Sequence, residues 1–438
     1  MQDDRKSRDT NAPASPARRK LLLGAGAGAM AAAGGMVPQG AAALSNDSVT
    51  NAPESGTTQD RQPFYGLHQP GIVTPRPAAG MVASFDILSR DRAELEQLLR
   101  TLTDRIAFLM QGGRAPELDP KFPPPDSGIL GPEIIPDNLT VTAALGASLF
   151  DDRFGLKPLK PLRLSRMQGS PNDALEKDLC HGDLLLQFSS NTPDTNIHAL
   201  RDIVKNAPGQ LLLRWKQEGS VPVQPPEKVK ESARNFLGFR DGSANPDPAD
   251  EALMNRIVWV QPDSDEPAWA AHGSYQVARI IRNFVERWDR TPLQEQEAII
   301  GRKKASGAPF DGRTEADVPD YAADPEGKVT PLDAHIRLAN RRDADAEKHL
   351  MLRRPFNYSN GISKSGQLEM GLLFIAFQAD LEKGFITVQK RLDGEPLEEY
   401  IKPIGGGFFF ALPGVRNEKD FLGRALLEAS GPQNARKA

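Results

Sequence analysis

The sequence predicts an α+β fold in which helices cover one face of an antiparallel sheet. Two observations support this class. Short apolar runs with the alternation of strands are interleaved with amphipathic helical segments, at gaps that vary in length. The same broad order of elements occurs once in each half of the chain. The Pro- and Asp-rich stretch at residues 245–252 is the expected break between the halves.

The first half begins with a strand, because apolar and polar side chains alternate along residues 81–88. A helix is expected at residues 89–110, where apolar side chains recur at helical spacing and two glycines follow. Strands at residues 184–188 and 211–215 come next, with a short helix at residues 194–206 between them.

The second half is predicted to contain six elements of the same kinds. Its strands are expected at residues 256–261, 368–377 and 407–412, and its helices at residues 275–288, 292–301 and 380–391.

The composition excludes several classes of protein. With 438 residues, 39% of them hydrophobic and 26% charged, the chain can bury a sizeable core. The 54 basic and 58 acidic side chains give a net charge of -4, which argues against nucleic acid as a partner. The single cysteine, Cys180, excludes an intrachain disulfide framework and a Cys-based zinc site. Cys180 leads into an apolar run, so we interpret it as a buried structural thiol.

Residues 1–43 have the pattern of a twin-arginine signal peptide. A basic segment ends in Arg18-Arg19-Lys20, residues 21–37 carry no charge, and three alanines end the segment. The alternative is a membrane anchor, for which about 17 Gly- and Ala-rich residues are short. The segment carries six basic and three acidic side chains, so its removal lowers the charge from -4 to -7. We therefore expect an exported, periplasmic protein.

The predicted organisation behind the signal has three parts. Residues 44–63 are rich in small polar residues and are expected to be a disordered lead-in. Residues 64–248 are the expected N-terminal domain, and residues 249–430 the expected C-terminal domain.

Two segments have the residue types of a reactive site. In the first, Gly238-Phe239-Arg240-Asp241-Gly242-Ser243-Ala244-Asn245-Pro246, two glycines flank an aspartate and permit a tight turn or the approach of a flat ligand. Its alternative interpretation is a surface turn. The second is His335-Ile336-Arg337-Leu338-Ala339-Asn340, and a lone histidine is more often a packed or surface residue than a metal ligand.

Taken together, the two segments resemble those of the dye-decolourising peroxidases, a family of haem peroxidases. The resemblance covers nearly all of residues 63–428 and extends through residues 64–72, 180–184, 273–279, 288–290, 301–303 and 405–410. It implies two tandem ferredoxin-like domains, with one haem b per chain in the second. With the twin-arginine signal, the chain is most similar to exported members that serve bacterial iron uptake.

The resemblance also implies roles for individual residues. His335 corresponds to the axial ligand of the haem iron, Asp241 to the distal acid–base residue and Arg353 to the distal arginine. Further cofactor contacts are expected from the motif glycines, from polar residues near the haem edge and from apolar residues on the distal side, namely Gly238, Gly242, Asn245, Arg337, Leu372 and Phe374. A carboxylate behind the axial histidine is expected within the acidic run of residues 393–399, and Glu399 is the predicted one.

These residue types suit the cleavage of peroxide. A carboxylate accepts and returns a proton within one pocket, while an arginine stabilises the negative charge that develops. Because a carboxyl group ordinarily titrates near 4, we expect turnover to peak at acidic pH. The expected partners are hydrogen peroxide, small electron donors, haem as a substrate, an iron permease and a second copy of the chain in a homodimer.

Four functions compete at this point. The first is peroxide-dependent oxidation of dyes, phenols or ferrous iron. The second is release of iron from haem with the porphyrin left intact, which the resemblance to iron-uptake members suggests. The third is a non-catalytic exported component that binds haem or iron for a permease. The fourth ignores the resemblance and makes the Gly-Asp turn a sugar or metal site.

Overall fold

The computed structural model describes residues 57–115, 117, 119–222 and 231–431. The predicted signal peptide and residues 44–56 of the predicted lead-in lie outside the described residues. Among the helices in the described ranges, none combines the length and the hydropathy that a membrane span requires.

The first half forms a four-stranded antiparallel sheet with two helices. Its main elements are β1 (Ala79–Ile87), α1 (Arg92–Gln111), a short ribbon of β2 (Gly113–Arg114) and β3 (Glu133–Ile134), β4 (Thr140–Gly146), β5 (Leu184–Ser190), α2 (Pro193–Asn206) and β6 (Leu211–Ser220). The spatial order β4-β5-β1-β6 and the sequence β-α-β-β-α-β define a ferredoxin-like unit.

The second half repeats that arrangement with insertions. Its elements are α3 (Glu251–Ile257), β7 (Ser274–Asn283), α4 (Val285–Trp288), α5 (Leu293–Ile300), α6 (His335–Ala339), β8 (Leu352–Arg353), β9 (Phe356–Ile362), β10 (Leu368–Gln378), a π-helical turn (Glu382–Ile386), α7 (Thr387–Leu392), β11 (Ile401–Ala411) and α8 (Arg424–Ala429). The strand β7 pairs with both β11 and β10, and β10 pairs with β9, so the order β11-β7-β10-β9 matches that of the first unit. The predicted fold class is therefore confirmed.

The two sheets join at their edges. Three residue pairs connect β11 to β4, and one pair, Ser220 with Asn357, connects β6 to β9. Apolar side chains from both sheets share one core, to which Val82 and Leu185 contribute from the first unit and Ile375 and Phe409 from the second. A larger core lies beneath α1 and α2. The predicted domain bounds, 64–248 and 249–430, stay a prediction.

The helix α1 illustrates how local sequence sets the elements. Asp91 caps its start by accepting a hydrogen bond from the backbone N–H of Glu94 at 2.9 Å. Gly112, at φ +69°, ends it in a conformation that favours glycine. The apolar stripe predicted from the spacing, which includes Leu95, Leu102 and Ile106, is buried.

Two predicted elements are wrong. Residues 275–288 were expected to be helical, yet Ser274–Asn283 is the strand β7, and only Val285–Trp288 is helical. The strand β7 is central and buried on both faces, so its apolar residues form a run without strand-like alternation. Residues 256–261, expected to be a strand, instead end α3 and enter a loop, because Asp250 caps that helix through the N–H of Leu253.

Candidate functional site

The site begins at α6, a five-residue helix whose first residue is His335. Nδ1 of the imidazole lies 2.7 Å from Oε2 of Glu395, a buried carboxylate in the turn after α7. Because a carboxylate only accepts hydrogen bonds, Nδ1 carries the proton and donates it. Nε2 therefore keeps its lone pair for a metal ion.

Glu395, and not the predicted Glu399, is the carboxylate that orients His335. Glu399 is exposed and lies at the end of a short 3₁₀ helix that begins with Pro396. It borders a separate cavity of about 270 Å³, and its backbone carbonyl accepts a hydrogen bond from Arg287. The tight turn before Pro396 directs Glu395 towards the imidazole and leaves Glu399 on the other side.

The electrostatic surroundings of His335 bring a second pair of residues into the site. Burial lowers the pKa of His335, but the charge and hydrogen bond of Glu395 raise it, so the pKa lies above its ordinary value. The charges of Arg353 and Asp241 also act on this pKa, which places both groups within electrostatic range of the imidazole. Burial has the largest single effect on this pKa, yet 33% of the His335 side-chain surface is accessible. The ring therefore borders an open space inside the protein.

Asp241 and Arg353 form an ion pair. Nη1 of Arg353 donates to Oδ1 of Asp241 at 2.7 Å, and both side chains are largely buried. Arg353 belongs to β8, which is paired with β10 through Ala376. The N–H of Asp241 donates to the carbonyl of Ala233 at 2.9 Å, which fixes the start of the turn. The structure thus brings together two residues that are 112 positions apart in the sequence.

Asn245 fastens this turn to Arg353. Its Nδ2 donates to the carbonyl of Arg353 at 3.0 Å, and its Oδ1 accepts from the N–H of Arg353 at 2.9 Å. Gly238 has φ +85°, and a Cβ at Gly242 would lie 2.7 Å from Oγ of Ser232. These contacts give the three residues a positioning role. Their predicted contact with a cofactor stays a prediction.

Leu372 and Phe374 share one face of β10. The alternate residues Leu373 and Ile375 are fully buried in the core between the sheets, whereas Leu372 and Phe374 are only half-buried. The ring of Phe374 lies 5.9 Å from that of Phe385, so this face is apolar. The pattern suits the lining of a flat apolar ligand.

Arg337 contacts the neighbouring loop. Its guanidinium donates to the side chain and the carbonyl of Asp324, at 3.0 and 2.6 Å, and to the carbonyl of Thr330 at 2.7 Å. It also lies over the ring of Tyr321 at 4.8 Å. The structure therefore gives Arg337 the task of holding residues 321–330, and its predicted cofactor contact is untested.

Sequence reasoning missed a basic cluster, formed by Arg302, Arg342 and Arg353. The charges of Arg342 and Arg353 act on the pKa of Arg302, which burial lowers most strongly. Within the described residues, Nε of Arg342 and the hydroxyl of Tyr321 are buried without a hydrogen-bond partner. Burial raises the pKa of Tyr321 to about 12, so its hydroxyl stays protonated and can donate. The pair Arg341-Arg342 directly after the histidine segment was the signal available in the sequence.

This donor set fits haem. The imidazole offers one free nitrogen to iron, and the β10 face is apolar. Among the described residues, Nε of Arg342 and the hydroxyl of Tyr321 are unpartnered donors, which suit the two carboxylates of a haem. In the described part of the chain, no group of three or more His, Cys, Asp or Glu side chains could hold a free metal ion. Iron held inside a cofactor by one histidine is consistent with both findings.

A surface cavity lies elsewhere in the described part of the chain. It has a volume of about 580 Å³ and lies at one end of the first sheet, bordered by Asp86, His181 and Arg214 among others. None of the predicted site residues borders it, so it is not the candidate site.

Comparison with known proteins agrees with the geometry. Residues 69–220 match the family model "Dyp-type peroxidase, N-terminal", and residues 232–416 match "Dyp-type peroxidase, C-terminal". Curated proteins named deferrochelatase, from Escherichia coli and from Shigella sonnei, are each 56% identical and align with 96% of this chain and 99% of their own.

Solved structures show the same relationship. A DyP-type peroxidase from Cellulomonas bogoriensis is 34% identical with a TM-score of 0.75, over 85% of this chain and 99% of that chain. Ferric DtpA from Streptomyces lividans is 33% identical with a TM-score of 0.76, over 86% of this chain and 100% of that chain.

Proposed function

This chain belongs to the Dyp-type peroxidase family, and from that premise we propose that one haem pocket serves two reactions, oxidation of donors by peroxide and removal of iron from haem. The protein is a haem peroxidase whose cofactor is haem b. The observation that carries the proposal is the convergence of the His335–Glu395 and Asp241–Arg353 pairs on one site.

Each residue of the two pairs has a distinct task. Glu395 holds the proton of His335 at Nδ1, which orients the imidazole and makes Nε2 a better electron donor to iron. Haem held by His335 would supply the iron centre for the peroxide chemistry.

Asp241 moves the proton of the peroxide. Its Oδ1 accepts from Arg353, and within the described residues its other oxygen has no hydrogen-bond partner and is available for proton transfer. Arg353 stays cationic and stabilises the developing negative charge. Asn245 keeps the Arg353 backbone in place.

Replacement of Asp241 tests the peroxidase activity. Asp241→Asn keeps the size of the side chain but removes the proton acceptor, so we expect peroxide-dependent turnover to fall about 10²- to 10⁴-fold. The haem absorption spectrum should remain that of the wild type. Asp247→Asn, an exposed change in the same loop, is the matched control and should leave turnover unaltered. Turnover of Asp241→Asn within twofold of the wild type would contradict the assigned role.

The second reaction is supported by the relatives named deferrochelatase, with which the chain is 56% identical. It is tested by incubating the protein with an excess of haem and measuring metal-free porphyrin by fluorescence. We expect porphyrin to accumulate beyond one equivalent. No porphyrin after many equivalents would leave only the peroxidase. If Asp241→Ala and Arg353→Ala bind haem and still support iron uptake, a non-catalytic haem carrier would be the better account.

Export to the periplasm by the twin-arginine route is a further part of the proposal. Its support is the sequence of residues 1–43, in particular the Arg18-Arg19 pair and the uncharged stretch after it. In cells, Arg18→Lys combined with Arg19→Lys should leave the protein in the cytoplasm. Fractionation that finds the double variant in the periplasm would refute this route.

We also propose an iron permease as partner and a homodimer as the functional state. The support is the resemblance to exported iron-uptake members of the family. Light scattering of the purified protein measures the oligomeric state, and co-purification with a permease tests the partner. A monomer at micromolar concentration would contradict the dimer.

A further inference from the structure

Arg354 is a buried arginine with no counter-ion among the described residues. It follows β8, is 4% exposed, and its backbone N–H donates to the carbonyl of Ile375 at 2.7 Å. Nη1 donates to the carbonyl of Thr74 at 2.6 Å, but Nε and Nη2 have no partner within the described residues. A buried charge without a partner is costly, so this group requires compensation.

The neighbour of Arg354 is a second arginine. Arg76 donates to the carbonyl of Pro355, while Arg354 donates to the carbonyl of Thr74, so the two segments are cross-linked in both directions. Burial lowers the pKa of Arg354, and the like charge of Arg76 lowers it further. Among the described residues, no carboxylate lies within 4.0 Å of either guanidinium group.

The available negative charge is already engaged. Asp241 acts on the pKa of Arg76, but its Oδ1 forms the ion pair with Arg353. Arg76 and Arg353 therefore share one aspartate, and Arg354 adds a third positive charge beside Arg76, so the local charge is positive although the whole chain carries -4. An anion is the simplest group that offsets this excess.

We propose that Arg76 and Arg354 bind a small monovalent anion of the chloride class beside the Asp241–Arg353 pair. Nε and Nη2 of Arg354 lie on one edge of the planar guanidinium, and this edge binds anions through two parallel N–H groups. Burial favours an anion that loses its hydration shell cheaply, such as chloride, bromide or nitrate, over sulfate. The proposal does not depend on the peroxidase activity.

Bromide is the probe that tests the site. In crystals of the haem-loaded protein soaked in bromide, an anomalous peak is expected within hydrogen-bond distance of both guanidinium groups. In solution, bromide at constant ionic strength, with sulfate as the balancing salt, should raise the Tm by about 2 °C per tenfold increase above the Kd.

Matched variants separate the site from general salt effects. Arg76→Gln and Arg354→Gln should each abolish the bromide-dependent rise in Tm, and the half-buried Arg76 keeps the test usable if Arg354→Gln does not fold. Arg166→Gln removes an exposed cation elsewhere and should keep the rise. Bromide peaks only at the surface or at iron, or an equal response to bromide in all variants, would overturn the proposal.

Discussion

At the scale of single residues, the carboxylate that accepts a hydrogen bond from His335 determines which imidazole nitrogen is free to bind iron. The histidine was identifiable in the sequence only through the resemblance to a family, because a lone histidine has many structural roles. The choice of Glu399 was wrong because spacing along a run of acidic residues does not show how a turn directs each side chain. Glu395 contacts Nδ1 at 2.7 Å, whereas Glu399 is exposed.

These two glutamates provide a matched pair of variants. Glu395→Gln weakens the hydrogen bond that orients His335, so we expect haem affinity or turnover to fall about 10- to 100-fold. The reduction potential of the iron should rise, because a less polarised imidazole donates less charge. Glu399→Gln should leave affinity, turnover and potential unchanged. Equal effects of the two changes would show that Glu395 does not support the axial ligand.

At the scale of elements, the site depends on how a loop is joined to a two-residue strand. The turn at residues 238–245 is remote in sequence from β8, and Asn245 connects them through two hydrogen bonds to the Arg353 backbone. The spacing of apolar residues predicted α1 well, because this helix buries one face and exposes the other to solvent. It failed for β7, because a strand buried on both faces has no alternation.

Removal of the two hydrogen bonds between Asn245 and the Arg353 backbone should impair catalysis more than cofactor binding. Asn245→Ala deletes both hydrogen bonds to Arg353, and we expect about 1–3 kcal/mol of lost stability. The Arg353 side chain then loses its fixed position, so kcat should fall about tenfold with an unchanged haem spectrum. Asn255→Ala, at an exposed position in α3, is the control. A kcat equal to that of the wild type would mean that Asn245 does not position Arg353.

At the scale of the whole molecule, two ferredoxin-like units share one core, and the site is assembled from segments far apart in the chain. The family resemblance implied the tandem units, and the doubled order of elements agreed with it. The order of elements could not predict the pairing of β11 with β4 or of β6 with β9, because contacts between edge strands leave no periodic signal. The arginine clusters were missed for a similar reason, since charge in a sequence does not report burial.

The histidines predict how the stability of the fold depends on pH. Burial lowers the pKa of His68, His181, His198 and His272, and that of His181 falls to about 4. The unfolded chain therefore binds more protons below about 6.5, so this stability is present above that pH and is lost as the pH falls towards 4.

Urea unfolding at pH 7.5, 6 and 5 measures this loss. As the pH falls, the free energy of unfolding should decrease less steeply in His181→Asn than in the wild type. His349→Gln, a change at a partly exposed histidine, is the control and should match the wild type. Parallel decreases in all three proteins would refute the contribution of His181.

The absorption spectrum of the haem-loaded protein tests the central claim most directly. We predict that the wild type shows the spectrum of histidine-ligated haem and that His335→Ala loses it, through weaker haem binding or a changed axial ligand. Identical five-coordinate haem spectra for the wild type and His335→Ala would contradict the assignment of His335 as the ligand of the haem iron.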